Sequence, residues 1–148
     1  MDDPTEYSKI KTWVDEWGGD LDYVDYVKGN GDLALLAAFS RIFWPRFVEV
    51  QGCVLWDRVY EKSNFADWYE NCSGDIRRIE MTLNRLRVWQ LVDSRDVEED
   101  SQALKFAAER IARAWRAALY AEFPGRSFVV GVDDSEDGPI VTFASAPQ

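Results

Sequence analysis

Glu98 to Phe143 reads EEDSQALKFAAERIARAWRAALYAEFPGRSFVVGVDDSEDGPIVTF. Its first half has the period of a helix and its second half that of strands. Leu104, Ala107, Ala108, Ile111, Trp115, Ala118 and Leu119 recur at steps of three and four, which aligns them on one helical stripe. The alanines among them raise helix propensity. A helix is therefore expected from about Glu98 to Glu122. Phe123-Pro124-Gly125 closes it, because proline lacks an N–H and glycine tolerates the turn out of a helix. Ser127 to Val132 and Pro139 to Phe143 are rich in β-branched and aromatic residues. The acidic turn Asp133 to Gly138 separates them, so the pair reads as a hairpin. A two-stranded hairpin is not stable alone and needs a covering element. Trp115 and Ile111 are expected to supply it, against Val129 or Phe128 and Val141 or Phe143.

Outward from this unit, Asp3-Pro4-Thr5-Glu6 is a helix start: Asp3 caps, Pro4 suits the first position and Glu6 reaches back. Tyr7, Ile10, Trp13, Val14 and Trp17 follow at helical spacing until Gly18-Gly19. Residues 20–31 fit a short helix or an ordered loop equally well. Asp32 is expected to cap a third helix with Leu33, Leu36, Phe39, Ile42 and Phe43 inward, ended by Pro45. Phe47 to Trp56 reads as β structure with a turn or bulge at Gln51-Gly52. Ser63 or Asn64 begins a helix presenting Phe65, Trp68, Tyr69 and Cys72 on one face. Asp75 caps the next, in which Ile76, Ile79, Leu83, Leu86 and Trp89 share a face. Asp93 to Asp100 is a charged connector.

Few strands, not alternating with the helices, argue against a doubly wound sheet. The expectation is a single α+β domain over residues 1–148. Its mainly antiparallel sheet has three or four strands with helices packed on one face, and residues 1–3 and 145–148 are expected to fray. The length of 148 residues suits one domain, and at that size the core is substantial.

The chemistry available is narrow. There is no histidine, so neither the commonest general base nor a histidine-based nucleophile is present. Cys53 and Cys72 have no metal-ligand spacing and read as buried thiols of a reducing compartment. No metal and no cofactor is expected. Asp133, Ser135, Asp137 and Gly138 imitate half of a calcium loop, but position twelve is Ala144 instead of glutamate. Glu49 and Glu80 are the acids set among apolar residues. Glu49 is expected to face solvent and Glu80 to pair with Arg77, Asn84 or another arginine. Arg77, Arg78, Arg85 and Arg87 form one basic set and Arg110, Arg113 and Arg116 another. Glu80 and Glu109 interrupt them, and both are expected to pair internally or face water.

The chain has 27 acids against 17 bases, a formal net charge of −10. Such a field repels phosphate backbones and attracts basic surfaces. No direct nucleic-acid binding and no membrane binding are expected. The acids concentrate in residues 1–32, 93–100 and 133–137. Asp20, Asp22, Tyr23, Asp25 and Tyr26 put charge and aromatic anchors into one short stretch, a composition suited to a protein interface. These five are the expected partner-binding residues. With no secretory apolar segment at its start, the protein is expected in the cytoplasm.

In general type, small acidic aromatic-rich α+β chains without catalytic groups resemble bacterial immunity proteins and small inhibitors of nucleic-acid enzymes. The expectation is a non-enzymatic binding protein that occludes a basic protein partner, a toxin of nuclease type or another nucleic-acid enzyme. A nucleic-acid mimic, a small carboxylate-dependent enzyme or a housekeeping domain are the alternatives.

Overall fold

The computed structural model describes residues 2–148. Two helices lead in, α1 (Ser8–Trp17) and α2 (Tyr23–Asn30), followed by α3 (Leu33–Phe43) and the hairpin β1 (Phe47–Val50) and β2 (Cys53–Trp56). Next come α4 (Lys62–Asn71), α5 (Ile76–Leu83), β3 (Arg85–Arg87), α6 (Ser94–Glu99) and α7 (Ser101–Glu122). The C-terminal hairpin is β4 (Phe128–Asp134) and β5 (Pro139–Ser145). The class is α+β and all strand pairings are antiparallel. The strands form two sheets, β1-β2 and β3-β5-β4, instead of one.

α7 covers the three-stranded sheet as its stripe demands. Trp115 and Ile111 are buried with Phe128, Val130, Val141 and Phe143, whereas Val129 faces out. Trp115 meets Phe143 edge-on at 5.8 Å and lies 5.1 Å from Trp56, ring centre to ring centre. Its Nε1–H donates to the Ile42 carbonyl at 2.8 Å, which ties the end of α3 to α7.

Strand β2 is buried on both faces. Val54 and Trp56 enter the core under α7, while Cys53 and Leu55 join Phe65, Cys72 and Ile79 in a second core. This follows from the period of two along a strand. One edge of β2 pairs with β1. The other is closed by side chains of α5. Glu80 Oε2 accepts the Val54 N–H at 2.9 Å, and Asn84 Oδ1 accepts the Trp56 N–H at 3.0 Å. Asn84 Nδ2 donates to the Val54 carbonyl at 2.9 Å and toward the Phe143 carbonyl at 3.4 Å. Glu80 Oε1 accepts the Ser145 N–H, and Oε2 the Ser145 hydroxyl. Residues four apart on a helix share a face, so Glu80 and Asn84 together join the two sheets.

Four expectations need correction. The helix capped by Asp75 ends at Leu83 and does not reach Trp89, because Asn84 turns inward to bond two strands. Leu86 is buried from a strand, paired with Val141. The helix placed from Glu98 is divided: Asp100 caps α7 by accepting the Ala103 N–H, which separates it from α6. Leu33, Leu36 and Phe39 do not point into a core. Only Ile42 and Phe43 of α3 reach the core, and no residue of α3 is buried. Finally, Ser145 is held by Glu80, and Ala146 N–H donates to the Ser127 carbonyl, so the last strand passes into the segment expected to fray. At the other end, Asp3 caps a short 3-10 turn, Pro4–Glu6, and Met1 lies outside the described residues.

Cys53 and Cys72 are both buried free thiols. Burial, and then the nearby Glu80, push the Cys53 thiol up to about 11. At neutral pH it is a thiol and not the reactive thiolate. Ellman's reagent should leave Cys53 untouched in the native protein and react after denaturation. The linkage sign follows from the raised value. Between the ordinary thiol range near 9 and about 11 the unfolded chain releases this proton first. Stability is therefore complete below that window and declines as pH rises through it. Urea midpoints that increase from pH 8.5 to 10.5 would contradict this.

Candidate functional site

The N-terminal helices carry the expected interface residues, and local rules explain most of their conformations. Asp22 caps α2 through a reciprocal box. Its Oδ1 accepts the Val24 and Asp25 N–H groups at 2.9 and 3.2 Å, and Asp25 Oδ2 accepts the Asp22 N–H at 3.0 Å. Both carboxylates thus have structural work, while Asp22 and Asp20 remain exposed to solvent. Tyr26 is half-buried and packs edge-on against Trp13 at 5.4 Å, joining α2 to α1. Tyr23 is 45% exposed and lines an apolar recess with Phe43, Phe106 and Arg110. Asp20, Asp22 and Tyr23 therefore present themselves outward, and Tyr26 holds the two helices together.

The larger feature lies beside them. Leu33 is 80% exposed and Leu36 60%, and Leu35 and Phe39 of the same helix are exposed too. Val24 and Val27 on the preceding helix and Trp44 just past α3 are exposed as well. α3 reads LALLAAFSRIF, with Arg41 its one charge. An all-round apolar helix is ordinarily buried. Here Ile42 and Phe43, at its C-terminal end, are the residues that pack against the core, next to the bond from Trp115 of α7. Contiguous exposed apolar patches are a general mark of interaction sites. Sequence reasoning assigned Leu33, Leu36 and Phe39 to the core. The usable signal was the missing polar face of α3 itself.

The segment that leads into α3 is acidic. Residues 1–32 hold nine acids and three bases. The acidic connector joins them in space, since Lys9 Nζ lies 3.7 Å from Asp96 Oδ1. A cleft of about 260 Å³ opens between α1, α6 and α7, with Tyr7, Ile10 and Phe106 on its walls and Asp96 and Asp100 at its rim. Burial, and then the charge of Asp96, raise the Tyr7 phenol above its ordinary value, so it stays neutral. The backbone N–H groups of Thr5 and Arg95 hold the Asp3 and Asp93 carboxyls below the usual range, keeping both charged. The third acidic segment is an ordinary hairpin tip. Ser135 Oγ donates to the Gly138 carbonyl at 2.7 Å, and Gly138 sits against Trp89 and Leu104.

The remaining singled-out residues are accounted for otherwise. Glu49 is exposed, as strand alternation implies, and bonds Arg126 at 3.2 Å. Glu80 is fully buried and bonded to backbone, with no ion pair. Comparison with protein-family models, with curated proteins and with solved structures finds no match.

Proposed function

We propose that this chain is a non-enzymatic binding protein that covers a basic surface of a protein partner with its N-terminal helices. The observation that carries the reading is α3, an apolar helix without a buried residue, set in the most acidic part of the chain. Apolar side chains provide affinity when a partner removes them from water, about 1.5–3 kcal/mol for each one fully buried. The surrounding carboxylates select a positive surface and speed the encounter. A toxin of nuclease type is the natural occupant, because an active site that holds phosphate must be basic. An immunity protein in a bacterial cytoplasm fits this role. A nucleic-acid mimic fits less well, since carboxylates standing for phosphates need no exposed leucines.

The two contributions separate in binding kinetics. Against the basic partner, Leu33→Ser with Leu36→Ser should raise the dissociation rate about a hundredfold. Replacing Asp20, Asp22 and Asp25 by Asn should instead lower the association rate several-fold at low salt. That effect should fade as the screening length shrinks toward about 8 Å at physiological ionic strength. Asn still caps a helix, so α2 should survive in circular dichroism. Tyr23→Ala should raise the dissociation rate. An association rate indifferent to salt and to the aspartates would remove the electrostatic half of the proposal. A tight homodimer that protects Leu33 and Leu36 would replace the partner with a second copy.

A further inference from the structure

On a chain of net charge −10, four arginines converge on one open cavity of about 780 Å³ formed by α5 and β3. Arg77 and Arg78 come from the first turn of α5. Arg85 and Arg87 stand two residues apart on β3, hence on one side of the strand, with Leu86 buried on the other. β3 is an edge of its sheet, and Arg87 on it is exposed. Thr82 and Met81 complete the wall.

The sequence led to the expectation that these arginines pair internally or sit apart in water. They do neither. Among the described residues, ion pairs form at Lys9–Asp96, Arg95–Asp93 and Arg126–Glu49, and none includes the four. The one carboxylate on the cavity, Asp75, is engaged in capping α5 through the Arg78 N–H. Arg77 Nε donates to the Ser145 carbonyl at 2.9 Å, which fixes the side chain without neutralising it. Arg85 Nε is buried with no acceptor. A buried donor without a partner costs about 1–3 kcal/mol. That nitrogen is itself closed to solvent, and what the cavity offers an anion is four guanidiniums on its lining with no carboxylate among the described residues paired to any of them.

We propose that this cavity binds a compact polyphosphate group, inorganic or carried on a nucleotide. Guanidinium forks match phosphate oxygens bidentately. One phosphoryl group carries a charge of only about −1.5 to −2, which leaves four guanidiniums under-neutralised, so the best matched ligand carries consecutive phosphoryl groups. The acidic remainder of the surface disfavours a long phosphodiester strand running beyond the cavity.

Titration calorimetry at low ionic strength with inorganic tripolyphosphate, and separately with ATP, tests this. Saturable one-to-one binding of both is expected. Equal affinities would mean that the phosphates alone are read, and tighter ATP binding that the nucleoside adds contacts. Arg78→Gln with Arg87→Gln, both at exposed positions, should weaken binding at least about tenfold while circular dichroism and the melting temperature stay unchanged. Arg87→Lys should also weaken it, because an ammonium lacks the fork. Arg113→Gln on α7 should have no effect. Absence of saturable binding, or binding unaltered by the Arg78/Arg87 change, would overturn the proposal. So would a short single-stranded oligonucleotide that binds more tightly than either probe.

Discussion

Glu80→Ala should lower the unfolding free energy by about 3–5 kcal/mol, a large part of the roughly 5–15 kcal/mol that a domain possesses. Glu80 is fully buried and accepts from the Val54 N–H, the Ser145 N–H and the Ser145 hydroxyl. Alanine leaves the two amides without acceptors, that of Val54 in a place closed to water. Ser145 Oγ retains only the bond from Arg126 Nη2 at 2.9 Å. Glutamine should recover part of the loss and not all, because its NH2 group would face a donor at a position where a carboxylate oxygen accepted one. Urea titration of the three proteins checks the order wild type, Glu80→Gln, Glu80→Ala. A change below about 1 kcal/mol for alanine would show that β2 and β5 find other acceptors.

Trp115→Ala is the second large effect, again about 3–5 kcal/mol. The indole is fully buried between Trp56 and Phe143. Its loss opens a cavity that the surrounding strands cannot fill. It also removes the bond to the Ile42 carbonyl, which fastens the end of α3. The variant should therefore lose melting temperature and also become sensitive to trypsin at Arg41 under native conditions. Stability unchanged from wild type would mean that α7 does not organise the sheet.

The α7–hairpin unit was legible because its apolar residues change from helical to strand period within one continuous stretch. Trp115, Ile111, Phe128, Val141 and Phe143 meet as that pattern requires. Boundaries set by a long-range contact were not legible. Leu83 and Leu86 suit a continuing helix as well as a helix followed by a strand. What decides is Asn84, whose partners lie 28 to 59 residues away in sequence. Leu33 and Leu36 show a different limit. Periodicity identifies an apolar face but not whether this chain or another molecule covers it. The Asp22 and Asp25 pattern was ambiguous in kind, since the same spacing that gathers charge beside tyrosines also writes a helix cap. The arginine set was visible, but its lack of carboxylate partners belongs to the tertiary structure.

The clasp of Glu80 and Asn84 on β2 and β5 also governs how the molecule opens. Two cores of this size could breathe independently, each exchanging its amide protons on its own timescale. Here the amides of Val54, Trp56 and Ser145 are all held from one face of α5 or its cap. None can meet deuterium until that helix lets go, and its release frees both sheets at once. Isotope exchange at these three positions should therefore slow or quicken in unison, as one cooperative unit.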